Sequence, residues 1–341
     1  MLEETQTITD KKARINWLSI LRGLIILLVV MFHVRLTDKS TGECYAFILE
    51  IGEWFSSVRM PTFVMISGML LYYTRISKDW SNMKLFKDKF IRIGLPLIFC
   101  TCLGNILQIA YNRFAAHPHE VTFLSFLKSF FVVDNMPWPH RWYLMVLMPM
   151  MFLYPLYCRI LKNKLFTILF LAVLIFLEPF NFYQNVKTNW FYFFALNRFL
   201  PFFFIGILVS KYGLWKFVDK WYLVPVLWAG YIILYAMHQE FFTVRSLIGI
   251  GAMIATALLI DKYIPMLCSS YRKYIFQIYL FGIAFQALIG QIVWKGLGYP
   301  DSLVTVFYVI SIVVGIYIPV LMSKVIERIP YRWIRLCFGL K

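Results

Sequence analysis

The sequence predicts an all-α, polytopic membrane protein with about ten transmembrane helices and with both termini in the cytoplasm. Of the 341 residues, 61% are hydrophobic and 15% are charged, whereas a soluble domain carries about 25% charged residues. Apolar segments of about 20 residues, the length that crosses a bilayer as a helix, recur along the whole chain. The basic residues between these segments cluster in alternate loops.

The apolar segments define ten predicted spans. Span two is long and contains Pro61, where we expect the helix to break because proline cannot donate a backbone hydrogen bond. Span five is short. The spans lie near residues 17–34, 46–73, 90–111, 141–158, 165–180, 190–210, 221–238, 245–260, 274–295 and 302–323.

The distribution of positive charge predicts the orientation. With the N-terminus inside, 23 of the 34 Lys and Arg residues fall in cytoplasmic segments, eight in outer segments and three within spans. Cytoplasmic loops carry such an excess, so the net charge of +17 does not require a nucleic-acid partner. We expect a cytoplasmic tail over 1–16, one transmembrane domain over 17–328 and a basic cytoplasmic tail over 329–341. The cysteines show no paired spacing, and we expect neither a disulfide framework nor a metal site.

The first span carries the pattern Arg22-x10-His33. Eleven residues place the two side chains within about 20° of one helix face and about 16 Å apart along the axis. Such groups are costly in hydrocarbon and are functional candidates by default. Arg22 suits the recognition of a phosphate group, or anchors the helix by snorkelling. His33 suits proton transfer near neutral pH, or is an interfacial histidine bonded to a neighbouring helix.

Other polar residues extend this set. Glu50 and Glu53, at the start of span two, are candidates to orient His33, or are solvated interfacial carboxylates. Lys89 and Arg92, at the cytoplasmic mouth of span three, form a candidate phosphate clamp, or only set the topology. Arg198 lies near the middle of predicted span six, so it needs a buried partner or a ligand.

Four residues around the outer start of span four are candidates to contact a sugar. Trp142 and Tyr143, together with Trp138, have rings that can stack on a sugar, or form part of an aromatic belt at the membrane interface. His140 stands beside them and is a candidate to contact the same acceptor.

Five segments, in this order, resemble the acyltransferase family 3 membrane proteins. They are Arg22-x10-His33, Met60–Gly68 (MPTFVMISG), Lys89-x-x-Arg92 followed by Pro96, His140–Leu144 (HRWYL) and Asn197–Gly206 (NRFLPFFFIG). The resemblance covers nearly the whole chain. It is greatest to the sugar O-acetylase branch that includes fucose 4-O-acetylases and the succinyltransferase of poly-N-acetylglucosamine adhesin synthesis.

The resemblance implies that the chain transfers an acetyl or succinyl group from cytoplasmic acyl-CoA to a hydroxyl of a cell-surface or lipid-linked sugar. The donor would be a substrate, with no permanently bound cofactor, and the setting would be the bacterial plasma membrane. His33 would be the catalytic base, supported by Glu50 and Glu53. The donor would be bound by Arg22, Lys89, Arg92 and Arg198, and the acceptor by His140, Trp142 and Tyr143.

Two segments depart from the family pattern. Many members carry a glutamate shortly after the Trp-x-Leu segment, but residues 145–151 contain none, and Ile278–Gly282 ends in glycine where many members have histidine.

Two other functions are compatible with ten spans and buried charges: a glycan transporter and a non-catalytic partner of a glycan synthase. Against a transporter, the sequence contains no clear inverted repeat.

Overall fold

The computed structural model describes residues 2–112, 121–132, 139–178, 193–237 and 242–340, and this part of the chain is helical and contains no strand. The prediction of an all-α fold is confirmed. Fifteen α-helices lie within these ranges: α1 Leu2–Phe32, α2 Ala46–Trp54, α3 Ser56–Thr74, α4 Asn82–Lys89, α5 Leu95–Asn112, α6 Phe123–Lys128, α7 Trp142–Phe152, α8 Tyr154–Ile160, α9 Lys164–Leu177, α10 Phe193–Tyr212, α11 Leu223–Ala236, α12 Phe242–Tyr263, α13 Ile275–Leu288, α14 Val304–Glu327 and α15 Arg332–Cys337.

Within the described ranges, five helical segments are long and apolar enough to cross a membrane: Asn82–Ala110, Ala195–Tyr212, Phe242–Tyr263, Arg272–Trp294 and Asp301–Glu327. A sixth results if α7 and α8, which meet at an angle of 48°, form one broken span. Shorter apolar helices occur at Asn16–Phe32, Lys164–Leu177 and Leu223–Ala236. The chain is therefore a multi-pass membrane protein. The number of ten spans, the orientation and the domain limits stay predictions.

The second predicted span is broken, but not at the proline. α2 ends at Trp54, Phe55 has φ −105° and ψ 8°, and α3 contains Pro61 within its helix. The hydroxyl of Tyr231 donates to the carbonyl of Trp54 at 2.5 Å, the carbonyl that an unbroken helix would pair with the amide four residues later. The expectation of a break at Pro61 is wrong. The Tyr231 side chain takes the Trp54 carbonyl out of the helical hydrogen bonds, so the helix breaks at Phe55. Pro61 removes only one backbone hydrogen bond, and α3 continues through it.

The chain forms two compact units. The first unit comprises Met1–Ile66 and Leu208–Lys324. In it, α1 packs against α2, α12 and α13, and α11 packs against α12. The side chains of α1 that form its core are fully or almost fully buried: Ile20, Leu21, Ile25, Ile26, Val29 and Val30. This burial fixes the helix that carries Arg22 and ends beside His33.

The second unit comprises Ser67–Ile207 and Val325–Lys341. Here the two backbones of α3 and α10 touch, because a Cβ atom added to Gly68 would lie 1.9 Å from the carbonyl oxygen of Phe203. The absence of a side chain at Gly68 thus permits this close helix packing. Near the C-terminus, α15 is attached to α5, with the rings of Phe338 and Phe99 at 4.8 Å.

The contact at Gly68 predicts that Gly68→Ala destabilises the protein. The methyl group meets a backbone oxygen that cannot rotate away, so α3 and α10 must separate, at a cost of about 3 kcal/mol. The measurement is the thermal midpoint of the purified protein in detergent. Gly296→Ala is the matched control, since its added Cβ has no atom within 4 Å. Equal midpoints for the two variants would contradict the close helix contact.

Candidate active site

The last turn of α1 has a partner for each of its final carbonyl groups. Four carbonyls at a helix end have no partner within the helix, and in an apolar environment each must be satisfied in another way. The carbonyl of Val29 accepts from the Nδ1 of His33 at 2.7 Å, and the carbonyl of Val30 accepts from the backbone N of His33 at 3.1 Å and from the Nε2 of Gln286 at 3.0 Å. The carbonyl of Met31 accepts from the backbone N of Val34 at 3.4 Å. The carbonyl of Phe32 accepts from the NH1 of Arg35 at 3.2 Å. His33 is thus a capping residue of α1.

The contact with Val29 fixes the chemistry of the His33 ring. A carbonyl oxygen only accepts, so the Nδ1 of His33 carries the hydrogen of this bond. In the neutral ring the lone pair then resides on Nε2. The histidine is half-buried, and its ring stands edge-on to that of Phe32 with the centroids 5.0 Å apart. The ring therefore presents one defined nitrogen as a base.

A buried arginine lies next to this ring pair. Arg59, in α3, is 7% exposed, and its guanidinium carbon lies 3.5 Å from the centroid of the Phe32 ring. Its NH1 donates to the carbonyl of Gly52 at 3.2 Å. A Cβ atom on Gly52 would lie 2.6 Å from the Phe32 ring, so the glycine allows α2 to approach α1 closely. The result is a positive charge held beside His33.

Arg22 and His33 belong to one uninterrupted helical path. α1 runs from Leu2 to Phe32, and the amide of His33 still bonds back to Val30. Arg22 is half-buried. A Cβ atom on the neighbouring Gly23 would lie 2.9 Å from the Cβ of Cys268. α1 therefore carries Arg22 and leads without interruption to His33, and the common face of the two side chains stays a prediction.

Glu50 and Glu53, the carboxylates predicted to orient His33, are both exposed on α2. The oriented nitrogen of His33 is held by a backbone carbonyl, that of Val29. A supporting role for the two glutamates stays a prediction.

In the second unit, the predicted phosphate clamp contains an acid. Asp88 bonds Arg92 Nε with Oδ1 at 2.8 Å, and Arg75 NH2 with Oδ2 at 2.9 Å. Lys89 is half-buried, whereas the side chain of Arg92 is 44% exposed. A π-helical turn, Phe90–Gly94, joins α4 to α5; such turns are frequent at functional sites. The clamp is partly neutralised by Asp88.

The aromatic residues predicted to contact a sugar pack inside the second unit. Trp142 stacks on Phe199 with the ring centroids 5.5 Å apart, and the hydroxyls of Tyr143 and Ser67 lie 2.6 Å apart. Tyr143 is 3% exposed and His140 is 7% exposed. Trp138 lies outside the described residues. The structure thus packs together three of the segments that resemble the family: Met60–Gly68, His140–Leu144 and Asn197–Gly206. The role of His140, Trp142 and Tyr143 in binding an acceptor stays a prediction.

Arg198 lies in the second turn of α10 as described, not in its middle, and it is half-buried. The neighbouring Asn197 donates from Nδ2 to the carbonyl of Leu177 at 2.7 Å, which attaches α10 to α9. The arginine is thus held at a fixed position by its neighbour. Its predicted role in donor binding is not tested by this contact.

A family model described as an acyltransferase domain matches residues 15–324. The chain belongs to the acyltransferase 3 family. No curated protein and no solved structure matches it significantly. Membership supports a membrane acyltransferase activity, and the matched range includes all five segments that resemble the family, from Arg22 to Gly206.

Sequence reasoning missed three residues of this acyltransferase that the structure brings to the candidate sites. Asp88 precedes Arg92 by four residues, a spacing that favours an ion pair on a helix, so its pairing could have been predicted. Arg59 lies within predicted span two, but its stacking on Phe32 of α1 could not be predicted from local sequence. Gln286 gave no sequence signal, because its contact with α1 joins residues 256 positions apart.

The double ion pair predicts that Asp88→Asn lowers stability. An amide cannot neutralise the two guanidinium groups of Arg75 and Arg92, and the loss of two charge-assisted hydrogen bonds costs about 2 kcal/mol. The measurement is the thermal midpoint in detergent at low salt. Asp79→Asn is the control, since Asp79 is exposed and asparagine tolerates its positive φ of 45°. An unchanged midpoint for Asp88→Asn would show that the cluster does not stabilise the fold.

Proposed function

We propose that this acyltransferase transfers an acetyl or succinyl group from cytoplasmic acyl-CoA to a hydroxyl of a cell-surface or lipid-linked sugar. The observation that carries the proposal is the geometry of His33, whose Nδ1 is held by the Val29 carbonyl. A base is effective when one nitrogen is oriented and the other is directed to the reacting hydroxyl. The family membership supplies the reaction class.

The proposed reaction proceeds in one transfer. The Nε2 of His33 takes the proton of the sugar hydroxyl while the hydroxyl oxygen attacks the thioester carbon. The new C–O bond forms, the C–S bond breaks, and the CoA thiolate takes the proton from the imidazolium. The guanidinium of Arg59, held over Phe32, provides positive potential near the oxyanion that forms in this step.

The donor is bound by the arginine on the same helix as the base. A CoA ester carries its phosphates far from its thioester, with a flexible arm between them. Arg22 and His33 are separated by about 16 Å along the helix axis, which suits these two ends of one molecule. A guanidinium binds phosphate oxygens in a bidentate manner. We assign secondary donor contacts to Lys89, Arg92 and Arg198, and the pairing of Arg92 with Asp88 makes Arg92 the weakest of them.

We further propose the sugar O-acetylase branch and a bacterial plasma-membrane location, with both termini in the cytoplasm. The five ordered segments and the excess of basic residues in alternate loops support this assignment. In this orientation, Arg22 faces the cytoplasmic pool of acyl-CoA and His33 faces the outer side, where the glycan is exposed.

The proposed base predicts different results for two histidine variants. His33→Asn keeps an N–H near the position of Nδ1, so it preserves the cap on Val29, but it lacks Nε2. We expect a loss in kcat of at least about 100-fold with a thermal midpoint close to that of the wild type. The measurement is the transfer of radioactive acetyl from acetyl-CoA to glycans by the purified protein.

The controls for this experiment separate the competing functions. His33→Ala removes both cap and base and should lose activity and some stability. Full activity in His33→Asn would make His33 a capping residue only. No transfer by the wild-type protein, to a broad set of glycans, would favour the transporter or the non-catalytic partner over an acyltransferase of sugars.

The proposed donor site predicts that Arg22→Ala raises the KM for acetyl-CoA by about tenfold, the value of one charge-assisted contact. The KM for the acceptor should stay unchanged. S-acetylpantetheine, which has the thioester but no phosphate, is the control donor, and the two proteins should use it equally well. An equal loss with both donors would place Arg22 away from the phosphates.

A further inference from the structure

A cleft of about 300 Å³ lies on the exposed side of α2, at the end of the first unit that carries His33. We call it the α2 cleft. It is lined by Phe47, Glu50, Ile51, Trp54 and Phe55. The side chain of Glu50 is exposed and Trp54 is 43% exposed. The cleft therefore combines a large aromatic surface with a carboxylate that the protein leaves uncovered.

The indole of Trp54 is held rigidly from one side. Its ring stacks on that of Tyr235, with centroids 5.1 Å apart and an interplanar angle of 28°. The Trp54 carbonyl accepts from Tyr231, one helical turn earlier in α11, at 2.5 Å. The guanidinium of Arg245 lies 5.6 Å from the ring of Tyr235. Because one face is occupied by Tyr235, the exposed fraction of the indole forms a preorganised platform.

The position of the cleft follows from the contacts of α2 and does not depend on the membrane orientation. Gly52, two residues before Trp54, packs directly on the ring of Phe32 at the end of α1. Arg59 bonds the carbonyl of Gly52 and stacks on the same ring. These contacts place α2, the helix that carries the cleft, at the same end of α1 as His33.

We propose that the α2 cleft binds one pyranose ring of the acceptor glycan. This inference rests on the proposed function. A pyranose has an apolar face of C–H groups that packs on an indole, and hydroxyls at its edge that donate to a carboxylate such as that of Glu50. A lipid chain has no group to pair with that carboxylate. The rings of Trp142 and Tyr143 are packed against Phe199 and Ser67, so Trp54 offers the more accessible stacking surface.

The experiment measures acceptor kinetics with soluble sugar probes. Radioactive acetyl-CoA is supplied with the methyl glycosides of glucose, galactose, fucose and N-acetylglucosamine, and the best acceptor of the wild type is then used. Trp54→Ala should raise the acceptor KM by about tenfold, while kcat and the KM for acetyl-CoA stay within about twofold. Trp54→Phe, which keeps a smaller ring, and Glu50→Gln should show intermediate increases.

The control variant is Trp221→Ala, since Trp221 is 72% exposed but lies in the segment between α10 and α11. It should leave every kinetic constant unchanged. An unchanged acceptor KM in folded Trp54→Phe and Glu50→Gln would overturn the proposal, whatever the stability of Trp54→Ala. If the activity of Trp54→Ala depended on the lipid composition while its acceptor KM stayed normal, Trp54 would instead be an anchor at the membrane interface, and the proposal would be overturned.

A second readout separates this inference from the function on which it rests. The thermal midpoint of the wild type should rise when the best glycoside is added, because a ligand that binds only the folded state stabilises it, and the rise should vanish in Trp54→Ala. Stabilisation without acyl transfer would support the cleft and refute the proposed reaction. Transfer by the wild type with no effect of either α2 variant would support the reaction and refute the cleft.

Discussion

The carbonyl groups at the end of α1 impose the constraint on which the rest of the candidate site depends. A helix that ends among apolar side chains must find donors for its final carbonyls. The structure supplies them from the following residues His33, Val34 and Arg35, and from Gln286 of α13. The ring of His33 is therefore positioned by the need to satisfy a backbone acceptor. The geometry of this ring, on which the proposed catalytic role depends, is a consequence of how the helix is closed.

The hydrogen bond from Gln286 of α13 to the carbonyl of Val30 depends in turn on two glycines. A Cβ atom on Gly282 would lie 2.5 Å from the carbonyl oxygen of Gly315, so α13 and α14 are in backbone contact. Gln286, one turn further along α13, lies over Gly315 and reaches the carbonyl of Val30. Beyond it, a π-helical turn places Trp294 so that its Nε1 donates to the carbonyl of Thr37 at 2.8 Å. The same helix therefore holds both the end of α1 and the loop after it.

The sequence could predict the features that depend on the local pattern of apolar and polar residues. Apolar segment length predicted the all-α membrane class, and the spacing of Arg22 and His33 predicted a common helix. It could not place the break at Phe55, because the hydroxyl of Tyr231, which binds the Trp54 carbonyl, is 177 residues away from Trp54 in the sequence. It favoured glutamates as the support of His33 because a carboxylate commonly orients a histidine base. In the structure the ring contacts a backbone carbonyl four residues earlier. Aromatic residues at a predicted interface look alike in sequence, and only burial separates Trp142 from Trp54.

The cap on α1 also gives the His33 ring an orienting partner for the proposed reaction. In hydrolases an acid holds the imidazole and stabilises the imidazolium that forms. Here the Val29 carbonyl holds the ring, and the C-terminal end of α1 carries the partial negative charge of the helix dipole. Proton transfer in the proposed reaction creates an imidazolium and an oxyanion together. The helix end favours the first and the guanidinium of Arg59 favours the second, although the same guanidinium beside His33 opposes the imidazolium. The imidazolium is therefore best stabilised as a close pair with the oxyanion, and it returns its proton to the thiolate.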